Sequence, residues 1–217
     1  MFGRPTALFS PEQTLPGREA AQWGLPAQHR VLGTALDATP GDGTTPEGYE
    51  VAYFGLGCFW GAEEIYWQKP GVYSTSVGYQ GGTSPNPTYE EVCSGRTNHT
   101  EAIRIVFDPS VVSYADLVKT FFEVHDPTQG MRQGNDVGTQ YRSALYFTNP
   151  EQEQTARELT KVYGEELARR GFDPITTEVA PAPAYYYAED HHQQYLAKNP
   201  HGYRCHATTG VPFPAED

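Results

Sequence analysis

The stretch Y49-E-V-A-Y-F-G-L-G57-C58-F-W-G-A-E-E-I-Y-W-Q68 decides the fold, because it changes its periodicity in the middle. Residues 49–57 are almost wholly apolar or small, the composition of a buried strand, whereas 58–68 read as a helix with Glu63 and Glu64 early in it. A strand that hands over directly to a helix places Cys58 in the first helical turn. Unsatisfied backbone N–H groups give that end a positive partial charge, which lowers a thiol's pKa and favours the thiolate. Cys58 is therefore placed to be a nucleophile. By position alone it reads equally well as a small buried apolar residue at a strand end, and Phe59 and Trp60 as ordinary core.

Working outward, "GVYSTSVGY" reads as a second strand by its β-branched and aromatic content and "HTEAIRIVFD" as a third by alternation. "SYADLVKTFFEVHD" predicts a helix with Ser113 as N-cap, Asp116 closing a capping box, and Leu117, Val118 and Phe121 on its apolar face. "HDPTQGMRQGNDVGTQY" has no periodicity and is a long loop of the functional kind. "RSALYFT" is a fourth strand. The helix of "PEQEQTARELTKVYGEELARR" starts at Pro150, stops before Gly171 and turns Ala156, Leu159, Tyr163 and Leu167 inward. "ITTEV" predicts a fifth strand, "YYYAEDHHQQYLAKNP" a last helix stopped by Pro200, and the tail beyond is irregular. Strands alternating with helices imply an α+β fold, a mixed sheet covered by helices.

Residues 1–48 carry Pro5, Pro11, Pro16, Pro26, Pro40 and Pro46 and read as an arm or linker with a short helix near Arg18 to Trp23; the folded domain spans 49–217. The 217 residues carry a formal charge of -12 with no Lys/Arg cluster, which argues against nucleic acid and anionic membranes as partners. No run approaches the length of a bilayer span, so a soluble, cytoplasmic protein is expected; a monomer is the expected state. Three cysteines, Cys58, Cys93 and Cys205, are too few and too odd in number for a secreted disulfide framework. The only tight Cys/His cluster is Cys205 with His206, so no metal site is expected. There is no Walker loop, dinucleotide glycine fingerprint or internal repeat.

Eight blocks, "GCFWGAEE", "SVGYQGG", "PNPTYEEVCSG", "HTEAIRI", "HDPTQ", "RQGNDVGTQYRSA", "AEDHHQQYL" and "KNPHGY", stand in an order and spacing that resemble the peptide methionine sulfoxide reductase A family from about Val51 to His206. The resemblance implies a ferredoxin-like two-layer plait. It also implies an enzyme that reduces the S epimer of methionine sulfoxide, free or in oxidised proteins, to methionine. Cys58 would attack the sulfoxide sulfur and become a sulfenic acid. The family's general acid maps to Glu101, which composition alone reads as an exposed strand residue.

The phenols that hold the sulfoxide oxygen map to Tyr89 and Tyr141, two of fifteen tyrosines that nothing in the residue pattern singles out. Phe59 and Trp60 correspond to the apolar walls around the S-methyl group. Asp136 corresponds to the aspartate that binds the substrate's backbone, though an Asn-Asp pair is ordinarily a turn. The resemblance makes Cys205 the candidate resolving thiol, which would form a disulfide with Cys58 that thioredoxin, or dithiothreitol in vitro, would reduce; no bound cofactor is implied. Cys93 is assigned to packing. The family commonly has Gly-Tyr-Cys where this chain has Gly202, Tyr203, Arg204, Cys205, and Asn98 and Met131 depart from its usual residues at the edges of the site. A cysteine hydrolase pairing Cys58 with His99 or His192 is the rival reading.

Overall fold

Strand β1 (Glu50–Leu56) leads through Gly57 and Cys58 into α1 (Phe59–Trp67), the handover expected from the sequence, in a computed structural model that describes residues 5–205 and 207–215. His206, singled out above, lies outside the described residues. The chain continues through β2 (Val72–Gln80), α2 (Tyr89–Cys93), β3 (Thr100–Phe107), α3 (Tyr114–Val124), β4 (Arg132–Gln133), β5 (Asp136–Val137), β6 (Ser143–Phe147), α4 (Pro150–Arg169), β7 (Glu178–Pro181), β8 (Tyr186–Tyr187) and α5 (Tyr195–Lys198).

Six strands form one sheet in the order β7-β6-β1-β3-β2-β8, antiparallel throughout except for the parallel pair β6 and β7. The sheet is mixed and the fold α+β, as expected. Register decides what each face carries. Phe54 and Val77 both stand opposite Ile103, and this row packs under Tyr66 of α1, Phe121 of α3 and Tyr163 of α4 in one continuous apolar core. Side chains alternate along a strand, so Glu101, two residues before Ile103 and opposite Tyr79, faces the helices and not solvent. On the opposite face Arg104 reaches across to the Ala38 carbonyl at 2.7 Å.

Residues 5–48 follow the sheet rather than hanging from it. Thr34 Oγ1 donates to the Tyr73 carbonyl at 2.6 Å and Ser74 Oγ to that of Ala35 at 2.9 Å, covering the half of the β2 edge that β8 leaves unpaired. No helix forms over 18–23; a single 3-10 turn stands at Pro11–Gln13 instead. Arg18 is engaged elsewhere, clamping Glu91 with two bonds of 2.9 and 2.6 Å while its backbone N–H donates to Pro85.

Two further expectations change. The fifth strand begins at Glu178 and not at Ile175, because Thr176 bonds the Pro127 carbonyl through both its N–H and its hydroxyl. The single C-terminal helix is broken into β8, a 3-10 turn at Asp190–His192 and the short α5. Polar contacts to the sheet outcompete the helix there. The Gln193 amide accepts from Val77 N–H and donates to Val77 C=O, acting as a surrogate strand, and Gln194 adopts a left-handed φ of 46°.

Candidate active site

Cys58 is the N-cap of α1 and is buried. The turn that presents it needs a glycine: Gly57 has φ +94°, and a Cβ there would stand 2.7 Å from Gln133 Cγ. The resting thiol is not the thiolate expected from a helix N-terminus. Burial pushes its pKa well above the ordinary value and the Glu101 carboxylate adds to the rise, while the N–H groups of Trp60 and Gly61 oppose both without prevailing.

Glu101 is 1% exposed, which overturns the plain reading of an exposed strand glutamate. Its Oε2 accepts the Phe59 N–H at 3.0 Å, so the carboxyl sits at the first turn of the helix that carries the thiol. Tyr89 opens α2 and Tyr141 closes the 3-10 turn Thr139–Tyr141. Burial first, and Glu101 second, raise the pKa of both phenols, so each keeps its proton and remains a hydrogen-bond donor. Tyr141 also lies within electrostatic reach of Cys58 and Asp136.

The walls are aromatic. Phe59 stacks on Tyr89 with centroids 6.4 Å apart, and Trp60 on Tyr195 at 3.9 Å. Trp60 donates its indole N–H to His192 Nδ1 at 3.1 Å, and the His192 ring lies 4.4 Å from that of Tyr89. Burial lowers the His192 pKa to about 3, so the imidazole is neutral, with its proton on Nε2. Glu189 ties the ring system to the sheet, accepting the Tyr79 hydroxyl at 2.7 Å and the Tyr89 N–H at 2.8 Å.

Asp136 lies on β5, inside the long loop, and accepts the Tyr203 hydroxyl at 3.2 Å. Its charge contributes to the raised pKa of both Cys58 and Cys205. The Cys205 thiol donates to the Gln133 carbonyl at 3.4 Å. Cys93 stands one helical turn beyond Tyr89, half-buried and near enough to both phenols to affect them.

All eight sequence-predicted residues thus gather around the start of α1. Sequence reasoning missed Tyr203, Glu189 and Tyr79. The blocks "KNPHGY", "AEDHHQQYL" and "SVGYQGG" contain these three, so the signal was present without the partners that give it meaning. Asn98 proves to hold the arm, its amide accepting the Phe9 N–H at 2.9 Å and donating to the Phe9 carbonyl at 2.8 Å. The hydrolase reading loses its bases. His99 has both ring nitrogens engaged, by Gly82 N–H and Ser84 C=O, and His192 gives its accepting nitrogen to Trp60.

Fold and site together define a class: an α+β plait in which one buried cysteine at a helix start shares its surroundings with a carboxyl group, two phenols and an aromatic wall. Residues 50–212 match the family described as Peptide methionine sulfoxide reductase. The Peptide methionine sulfoxide reductase MsrA 1 of Synechocystis sp. is 54% identical over 99% of this chain and 94% of its own length, and MsrA of Azotobacter vinelandii is 55% identical over 96% and 94%. Among solved structures, methionine sulfoxide reductase A of Corynebacterium diphtheriae superposes with a TM-score of 0.84 at 48% identity, covering 96% of this chain and all of that one. Reduced Mxr1 from Saccharomyces cerevisiae gives 0.67 at 34% identity, over 74% and 91%. The chain belongs to the peptide methionine sulfoxide reductase family.

Proposed function

We propose that the chain reduces the S epimer of methionine sulfoxide, free and within oxidised polypeptides, to methionine, with Cys58 as nucleophile and Glu101 as general acid. The observation that carries the reading is the Cys58–Glu101 pair, both members buried, with the carboxyl bonded to the N–H of Phe59. A sulfoxide oxygen leaves only when protonated, and a dry thiol–carboxyl pair holds protons where they are needed. As Cys58 sulfur attacks the sulfoxide sulfur, the thiol's proton passes to the Glu101 carboxylate, and Glu101 delivers it as general acid to the sulfoxide oxygen. Tyr89 and Tyr141 donate to that oxygen as charge develops, and Phe59 and Trp60 enclose the methyl group. The protonated oxygen then shifts from the substrate sulfur to Cys58: the substrate's S–O bond and the transient bond between the two sulfurs break, a Cys58 S–OH bond forms, and methionine leaves, so sulfoxide is reduced and thiol oxidised in equal measure. Asp136, with Tyr203, receives the substrate's backbone amide.

Cys205 then attacks the sulfenic acid, water leaves, and the Cys58–Cys205 disulfide passes its oxidation to thioredoxin or dithiothreitol. A thiol recycled in this way suits the cytoplasm, where thiols are kept reduced. Among the described residues no helix is long and apolar enough to cross a membrane.

The test is epimer-resolved consumption of methionine sulfoxide with a thioredoxin system. Cys58→Ser abolishes turnover. Cys205→Ser yields one equivalent of methionine per enzyme in a burst and then stalls with thioredoxin. A wild-type enzyme that leaves both epimers untouched removes the function, and a Cys205→Ser enzyme that cycles normally moves the resolving role to Cys93 or to no thiol.

A further inference from the structure

The resolving segment carries an arginine between Tyr203 and Cys205, where the family commonly joins tyrosine directly to cysteine. Its side chain is partly exposed, with its guanidinium engaged by the protein on both sides. Arg204 Nε meets Glu64 Oε2 at 2.6 Å and Nη2 meets Oε1 at 2.7 Å, a bidentate pair with α1, the helix that Cys58 caps. The remaining terminal nitrogen, Nη1, donates to the carbonyls of Pro200 at 3.0 Å and Gly202 at 3.3 Å, so one guanidinium closes the 200–204 loop and fastens it to α1.

Cys205 stands one residue beyond this anchor and is held by Gln133, which also touches the turn that presents Cys58. Its thiol donates to the Gln133 carbonyl, and the Gln133 side chain packs against Gly57, the residue before Cys58. Gln133 is itself held in place, because its amide is locked to Asp126 by bonds of 3.0 and 2.9 Å. To form a disulfide, Cys205 must leave the Gln133 carbonyl and swing toward Cys58.

We propose that the Arg204–Glu64 pair is the pin of that swing. It is a positioning device that stays closed while Cys205 resolves the Cys58 sulfenic acid, and it compensates for the one-residue displacement of the cysteine. Successive Cα atoms are about 3.8 Å apart, so a pinned residue 204 confines residue 205 to a small volume, and the effective concentration of its thiol stays high. The step needs no external oxidant. The Cys205 S–H and Cys58 S–OH become an S–S bond and water. The inference rests on the resolving role given to Cys205 above.

Single-turnover experiments separate the two half-reactions, with methionine release reporting the first and alkylation-quenched loss of free thiol the second. Arg204→Ala and Glu64→Gln leave methionine release within twofold of wild type and slow disulfide formation about tenfold or more. The exchange Glu64→Arg with Arg204→Glu brings it back to within about threefold. Disulfide formation within twofold of wild type in both single variants overturns the pin. So does equal slowing of both half-reactions, or an exchanged enzyme as slow as the single variants. A wild-type enzyme whose quenched product contains no Cys58–Cys205 disulfide overturns the resolving reading itself, an outcome distinct from normal resolution without the pin.

Discussion

At the residue scale, Cys58 and Glu101 act on each other in opposite senses for resting reactivity and for catalysis. The carboxylate raises the thiol's pKa, so Glu101→Gln, which removes that charge and keeps the shape, lowers it. Alkylation of Cys58 by iodoacetamide at pH 8 accordingly becomes several-fold faster than in wild type. The single-turnover release of methionine moves the other way and falls by about 10²-fold or more, because the acid is gone. Both rates rising, or a single-turnover rate unchanged across pH, removes Glu101 from the mechanism. The sequence made the thiol legible because a strand-to-helix handover is a local pattern. It misjudged the thiol's charge because burial, together with the Glu101 carboxylate that arrives from β3 more than forty residues away, outweighs the local N–H groups. Tyr89 and Tyr141 were legible only through the resemblance, since the same strands and turns offer many phenols.

At the scale of elements, what local chemistry fixes was readable and what tertiary polar contacts fix was not. Helix α3 carries its own capping box, the Ser113 hydroxyl accepting from Asp116 N–H at 3.0 Å, and it forms where expected. The arm needs partners that arrive late. Val31 and Leu32 N–H both donate to His29 Nδ1, which puts the ring proton on Nε2, facing Thr75 Oγ1 at 2.8 Å. Thr75 donates in turn to Glu63 Oε1, and Glu63 also receives the backbone and side-chain N–H groups of Gln194 at 2.8 Å each. One buried chain of bonds thus joins arm, β2, α1 and the segment before α5. His29→Ala leaves two backbone donors and a buried hydroxyl short of partners, and costs about 2–3 kcal/mol in denaturant unfolding. A loss below about 0.5 kcal/mol would make the arm a loose covering instead.

At the scale of the whole molecule, the same burial that shapes the site sets how stability depends on pH. Desolvation lowers His29, His99 and His125 to about 4 and His192 to about 3, so all four imidazoles are neutral when folded. Unfolding returns them to their ordinary value of 6.5, so the unfolded chain binds more protons and stability falls as pH drops from 6.5 toward 4. Glu63 opposes this. Burial raises it from 4.5 to about 7, so its contribution is complete below 4.5 and is lost as pH rises through 7. Near pH 5 the imidazoles outweigh the carboxyl. Unfolding then takes up about three protons, four by the imidazoles less nearly one released by Glu63, a slope on the order of 4 kcal/mol per pH unit at its steepest. Urea midpoints measured from pH 7 to pH 4 should drop sharply through this window. They should drop less steeply in His29→Gln, which replaces one imidazole by a neutral amide, and more steeply in Glu63→Gln, which removes the opposing carboxyl. Midpoints that stay level between pH 6 and pH 4.5 would mean that the buried imidazoles are protonated within the fold, and the neutral His192 that accepts the Trp60 indole in the aromatic wall would go with them.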